Sequence, residues 1–463
     1  MAVHSNAVPL ELGTENIGKL LMKYAGPAII AMTASSLYNM IDSIFIGHGV
    51  GPMAISGLAV TFPLMNLSAA FGSLVGVGAS TIMSVLLGQK NYEVANKVLG
   101  NVVVLNMTIG IVFMCISLAF LDPILYFFGA SENTIVYARE YMQVILYGNI
   151  VTHLYLGLNN LLRASGNPRM AMSLTIMTVV LNAVLAPVFI FMMGIGIKGA
   201  ALATVLAQLV ALVIILRYFS NQDRLLHFRK GIFKMDFRIA KDSLSIGLAP
   251  FLMNSAACLV TLFINQQLKN YSGDLAIGAY GIVNRISFLF IMINMGLNQG
   301  MQPIAGYNYG ARKYSRVKEV YGKTVKYATV VALTGFVVSI AFPHAAVSVF
   351  TSDAGLKELA AKGLRLINLM LPIVGFQMVT TNLFQCLGMI NKSIILSMSR
   401  QLLFLLPLLY VMPMFLGAKG VWVSFPIADS LAALVTFIML MDLMKKLRKL
   451  NDGDDPTILG SKL

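Results

Sequence analysis

Charge is what this chain has least of. Only 11% of its 463 residues are Asp, Glu, Lys or Arg, against about 25% in soluble globular domains. A chain of this length with so little charge cannot cover itself in water, so a soluble enzyme or binding domain is excluded. Cysteine is scarce too. Cys115, Cys258 and Cys386 all fall inside apolar runs, which rules out a disulfide framework and reads as small packed side chains. No G-x-x-x-x-G-K-[ST] loop is present, so drive by ATP within this chain is not expected. No His-Glu-x-x-His, Gly-x-Ser-x-Gly or Asp-rich diphosphate motif is present either, so the chain is not expected to be an enzyme or to need a cofactor. No basic domain interleaved with aromatics points to nucleic acid. The first sixteen residues lack an apolar core, so no cleaved signal is expected.

What the chain does have is apolar length. Hydrophobic residues make up 57% and the mean hydropathy is +0.78. A bilayer crossing needs about 20 apolar residues. Twelve such runs lie near 17–47, 52–86, 94–120, 136–162, 170–193, 196–219, 239–267, 275–305, 317–342, 358–387, 393–416 and 420–443. Backbone groups in lipid must be paired within their own segment, so each run is predicted to be a helix. The expected class is an all-α membrane protein with twelve transmembrane helices. The second and eighth runs exceed the minimum and should tilt or extend into water. The 29 methionines suit soft packing and apolar binding walls.

The basic residues alternate between the two ends of these runs. Lys19 and Lys23, Lys90 and Lys97, Arg163 and Arg169, a block from Arg217 to Lys241, Arg312 to Lys318, Lys392, and Lys445 to Lys449 fall on one side. The other side has Lys198, Lys269, Lys357 and Lys419, one per loop. The positive-inside rule then predicts a multi-pass cell (inner) membrane protein with both termini cytoplasmic. Residues 221–237 form the longest polar stretch and the expected linker, between an N-terminal six-helix lobe (1–220) and a C-terminal lobe with a basic tail (238–463).

The two lobes are related in sequence. Gly88-Gln89-Lys90-Asn91-Tyr92 matches Gly310-Ala311-Arg312-Lys313-Tyr314 at an offset of 310 − 88 = 222. Ala119-Phe120 with Ala341-Phe342, Asn160-Leu161-Leu162 with Asn382-Leu383-Phe384, and Gly166 with Gly388 keep that register. Six helices plus six, each set starting on the same side, give parallel repeats in two pseudo-symmetric bundles. Such bundles enclose a central cavity and alternate its access by rocking, the plan of a secondary transporter.

One acid stands inside the first run. Asp42 lies five residues before Gly47, about 8 Å inside the helix end. An acid at that depth costs roughly 2.5–3.5 kcal/mol on insertion scales and marks an ion or proton path. Its partner position at the 223-residue offset is Asn265, so the acidic site belongs to the N-terminal half. Asn39, on the same stretch, is a candidate for the substrate cavity. Arg400 and Asp429 both come out near mid-depth, with Arg285 similarly deep, and are read either as an ion-pair network or as a basic patch facing the cavity. His153 and Gln377 complete the polar candidates.

Several motifs together resemble the multidrug and toxic compound extrusion (MATE) family. They are Leu161-Leu162-Arg163-Ala164-Ser165-Gly166-Asn167-Pro168, and Asn298-Gln299-Gly300-Met301-Gln302-Pro303 running to Tyr307-Asn308-Tyr309-Gly310-Ala311-Arg312. Gly194 to Ala203, and Trp422 with Pro426-Ile427-Ala428-Asp429, add support. The resemblance implies an antiporter, expected to act as a monomer in the lipid bilayer, that exports amphipathic, often cationic small molecules against H+ or Na+. It implies a coupling site at Asp42, Tyr141, Asn182 and Thr204, with Na+ at Asp42, Asn182 and Thr204. The family's acid on helix five is replaced by Ala186, which removes one negative charge. The acids of the other branch are missing as well: Pro250 to Asn254 holds no Glu, and Gln377 stands where an Asp would sit. A flippase for lipid-linked sugar or cell-wall precursors, which would need cavity-facing Arg, is the alternative reading.

Overall fold

The computed structural model describes residues 11–50, 52–229, 231–272, 274–350 and 353–456. Side chains are outside that description at several helical positions, among them 37–44. No strand occurs among the described residues. After a one-turn helix at Glu11–Thr14 come α1 (Ile17–Gly49), α2 (Pro52–Gly88), α3 (Tyr92–Ala119), α4 (Leu121–Phe127), α5 (Ile135–Tyr147), α6 (Asn149–Ala164), α7 (Pro168–Pro187) and α8 (Ile197–Ser220). The second half holds α9 (Phe237–Ser272), α10 (Asp274–Gly310), α11 (Tyr314–Ala341), α12 (Pro343–Ser348), α13 (Ala354–Ile367), α14 (Leu371–Cys386), α15 (Ile390–Met398), α16 (Leu406–Leu416) and α17 (Ala418–Arg448).

Among the described residues, ten helices or joined helices are long and apolar enough to cross a membrane. The other two predicted crossings are α1, which has 33 residues, and the pair α5–α6, interrupted at Gly148. A Cβ at Gly148 would come within 2.3 Å of the Val205 side chain, so the break lets the pair lie close against α8. Helices α2 and α10 have 37 residues each. At about 1.5 Å per residue they are far longer than the ~30 Å hydrocarbon layer, as the long second and eighth runs predicted.

The repeat is written in the helix boundaries. Both ends of α2 and α10, of α3 and α11, and of α6 and α14 are 222 residues apart. The turns repeat as well. Asn91 N donates to Leu86 O and Lys313 N to Asn308 O, closing each long helix with the same six-residue C-terminal turn. The residue inside that turn is left-handed in both halves, Lys90 at φ 60° and Arg312 at φ 56°. The turns after α6 and α14 close in the same way around Gly166 and Gly388, whose φ values of 96° and 68° favour glycine.

Packing divides the chain into two units. One is Ile30–Phe251 together with the one-turn helix; the other is Glu15–Ile29 with everything from Leu252 onward. Helices α1 and α9 therefore each belong to both, and each changes unit within two residues after a proline, Pro27 and Pro250. In the first unit, α9 approaches α2 backbone to backbone: a Cβ at Gly247 would lie 1.8 Å from Leu74 O, and one at Gly78 1.8 Å from Ser243 O. Small residues allow this kind of close helix approach in membranes.

The linker is docked rather than loose. The buried Asn96 amide donates to Leu225 O at 3.2 Å and accepts from His227 N at 3.0 Å, and Asn101 accepts from Asp236 N at 2.9 Å. In the second unit the tail does the corresponding job. Asp452 accepts from the Ser315 amide at 2.8 Å and its hydroxyl at 2.5 Å, and Tyr314 donates to Asp454 O at 2.8 Å. So in each half the segment after the last helix holds the start of the third.

Candidate functional site

Helices α7 and α8 lie side by side because both present small residues to each other, Ala186 on one and Ala200 and Ala203 on the other. These share a buried apolar cluster with Ile46, Tyr141, Ile190 and Ile197. One turn before Ala186 on the same face, Asn182 is buried, and its Nδ2 donates to Thr204 Oγ1 at 3.0 Å. The Thr204 hydroxyl donates in turn to Ala200 O at 3.1 Å. This chain fixes the Asn182 amide, and turns its carbonyl oxygen away from Thr204. Three of the four expected coupling residues, Tyr141, Asn182 and Thr204, thus lie in one bundle on α5, α7 and α8. Asp42 and Asn39 lie in α1, with side chains outside the described residues.

Ala186 is fully buried in that cluster. Its position on the Asn182 face is as the sequence implied, and its surroundings are apolar. The site around Asn182 and Thr204 is built from neutral oxygens: a hydroxyl, an amide and backbone carbonyls. Such oxygens suit a hard monovalent cation or a hydrated proton when a carboxylate supplies the charge.

His153 does not line a cavity. It is completely buried, in a slot left by Gly72 and Gly110, and its Nε2 lies 3.3 Å from Ser68 Oγ. Ser68 donates to Asn149 Oδ1 at 2.5 Å, and the Asn149 amide donates to Gly110 O at 3.0 Å. The ring ties α2, α3 and α6 together, which corrects its reading as a substrate contact. Gln377 is also buried. The repeat has a second such tie, in which Ser287 donates to Asn368 Oδ1 at 2.9 Å. Serine and asparagine are 81 residues apart in both ties. That spacing was visible in the sequence, although nothing in either residue alone announces it.

In the second unit Arg400 and Asp429 do meet, with Nε donating to Oδ1 at 2.5 Å. Arg285 does not join them. It is exposed on α10 and has no carboxylate partner among the described residues. Helical rise placed all three at similar depth, but Arg285 stays exposed and apart from the other two, so the ion-pair network reduces to a pair. Arg163, counted among the basic residues at one end of the runs, is buried beside Asn160 Oδ1, 3.4 Å away.

Comparison with known proteins gives one consistent picture. The family model described as MatE matches residues 27–188 and 246–411. The multidrug export protein MepA of Staphylococcus aureus (strain N315) is 28% identical over 429 residues, 93% of this chain and 94% of that protein. The outward-facing structure of a multidrug resistance MATE family transporter of the MOP superfamily is similar at a TM-score of 0.89 and 26% identity, covering 95% of this chain and 99% of that one. A MOP superfamily transporter from Pyrococcus furiosus, described as having a binding pocket of reverse polarity, is similar at the same score, identity and coverage.

Proposed function

The chain belongs to the MatE family of multidrug efflux transporters, and from that membership we propose that it is an antiporter that exports amphipathic small molecules in exchange for H+ or Na+. The observation that carries the coupling half of this reading is the Asn182–Thr204 hydrogen bond of 3.0 Å, in the same bundle as the buried Tyr141. Asp42 supplies the one exchangeable charge. Protonated, or paired with Na+, it is neutral and compatible with the apolar cluster. Ionised, it needs the polar groups of α5, α7 and α8. Two states of different charge in one bundle provide a reason for two arrangements of that bundle, and a ligand that binds one better shifts the balance. The relative MepA is a multidrug export protein, which supports drugs or metabolites of mixed apolar and charged character as cargo. One carboxylate supports one monovalent ion per cycle.

Drug accumulation in an efflux-deficient host, measured under separately imposed Na+ and H+ gradients, tests the reading. Export driven by one gradient and collapsed by its ionophore is expected. Export indifferent to both gradients would remove the antiport mechanism. The flippase reading needs cavity-facing arginines, and Arg400 keeps part of that requirement alive. Translocation of a fluorescent polyprenyl-phosphate sugar by reconstituted protein would favour it.

A further inference from the structure

The C-terminal half carries a charge pair that its own architecture does not require. At the 222-residue offset the counterpart of Arg400 is Thr178. Helix α17 begins 221 residues after α8, which sets Asp429 against Gln208. Both counterparts are neutral and locally satisfied: Thr178 donates to Thr175 O at 2.7 Å, and Gln208 accepts from Thr152 at 2.5 Å. The same bundle plan therefore closes without ions. Replacing a buried ion pair by neutral groups is often no loss of stability, so packing alone is a poor reason to keep this one.

The pair is deep. Lys392 and Asp442 pair at the basic end of α15 and α17, 2.7 Å apart. Asp429 precedes Asp442 by 13 residues on one helix, a rise of about 20 Å into a hydrocarbon layer of ~30 Å. At that depth Asp429 is 3% exposed, but Arg400 remains 27% exposed. Only its Nε is used. Its terminal nitrogens, with four N–H donors, have no protein acceptor among the described residues. The backbone beneath it is a π-helical stretch, Ser399–Leu405, a feature frequent at functional sites. On the same helix as Asp429, Phe425 and Trp422 pack 6.2 Å and 6.4 Å from the Tyr280 ring in the buried core. Phe425 is one turn from Asp429 on the same face of α17.

We propose that the exposed edge of Arg400 is an anion-recognition site, which takes the carboxylate, sulfonate or phosphate of an amphipathic ligand. Asp429 is a positioning residue. It holds the Nε edge, so the guanidinium is aimed, and it is the counter-charge when no ligand is bound. This deepens the efflux reading and rests on it for the word substrate: the preferred cargo carries an acidic group, in line with an N-terminal site that lacks the acid at Ala186.

Equilibrium binding to the purified full chain in neutral detergent, with no gradient, tests the site apart from transport. The probes are 11-(dansylamino)undecanoate and the same chain ending in trimethylammonium. The anionic probe should bind more tightly, and Arg400→Gln should weaken it at least tenfold with little change for the cationic probe. Arg400→Lys should retain part of the affinity. Asp429→Asn, which frees the guanidinium, should tighten the anionic probe. If that variant does not fold, the neutral pair Arg400→Gln with Asp429→Asn, compared with Arg400→Lys, decides the matter, because it removes both charges together. Competition by phosphatidylglycerol in mixed micelles would identify a lipid headgroup as the occupant, and its absence a free amphiphile. Equal affinity of wild type and Arg400→Gln for the anionic probe overturns the proposal, as does Asp429→Asn weakening it as much as Arg400→Gln does. Failure of export in the accumulation assay, with these binding results intact, would count against the efflux reading alone.

Discussion

Asp42 is one carboxylate in a helix of 33 residues, and the coupling proposal turns on it. Asp42→Asn keeps the size and removes the exchangeable charge. The variant should insert and fold to wild-type levels yet lose gradient-driven export, measured as drug accumulation in cells whose expression has been matched by immunoblot. Export at the wild-type rate would reject Asp42 as the coupling group. Thr204 offers a finer test. Its hydroxyl accepts from Asn182 and donates to Ala200, and loss of such a bond costs about 1 kcal/mol. Thr204→Ala should lower the melting temperature in detergent by a few degrees and weaken ion-dependent export, with Thr204→Ser recovering both. A fall in stability with unchanged ion dependence would leave Thr204 only a structural task. His153 and Arg163 illustrate the opposite outcome, in which polar residues within apolar helices hold their own bundle together.

Helices in this chain meet where side chains are missing, and that makes single added methyl groups informative. A Cβ at Gly247 would lie 1.8 Å from a backbone oxygen of α2, whereas one at Gly281 meets nothing within 4 Å. Gly247→Ala should therefore destabilise by at least the 1–3 kcal/mol typical of overpacking, seen as reduced monodisperse protein on size-exclusion chromatography after heating. Gly281→Ala should behave as wild type. The tail contact has its own signature. Burial raises the Asp452 carboxyl, and hydrogen bonds from the Ser315 hydroxyl and amide outweigh it, leaving the group below its ordinary 3.8. A folded value below the unfolded one means the contact is complete above that ordinary value and is lost as pH falls through the depressed one. A spin label at Asn451 should thus be immobile at neutral pH and become mobile only as pH falls below the ordinary carboxyl value of 3.8. In Asp452→Asn it should already be mobile at neutral pH. A pH-independent spectrum in wild type would show that Asp452 does not hold the tail.

Over the whole chain, the repeat is the strongest regularity, and it is broken where chemistry is concerned. Asp42 has Asn265 as its counterpart, and Arg400 has Thr178. One half is thus marked by a single acid and the other by an acid–base pair, Arg400 with Asp429, on a common helical plan. The topology expected from the basic loops is open to a direct check. Reporter fusions after Gly49 and after Lys449 should report opposite faces of the membrane, with Lys449 inside. Activity of the same reporter at both positions would refute the twelve-crossing arrangement.

Much of this was legible in the sequence, for identifiable reasons. Lipid forbids unpaired backbone, so apolar length alone determined helices and nearly all their positions. The 222-residue register was readable because Gly, Asn and basic residues sit at turns, where few others fit; the observed helix ends repeat it. The chemistry of the coupling site was legible only as residue types. The meeting of Asn182 with Thr204, on different helices, depends on how α7 and α8 pack. Other outcomes belonged to tertiary structure altogether. Rise along a helix placed Arg285, Arg400 and Asp429 at similar depth, but rotation about the axis, set by packing, left Arg285 exposed and the other two facing each other. The division of α1 and α9 between two units, and the docking of linker and tail on the third helix of each half, were likewise decided by long-range packing. A sequence read one residue after another records the period of a helix, whereas which neighbour covers each face follows from the fold.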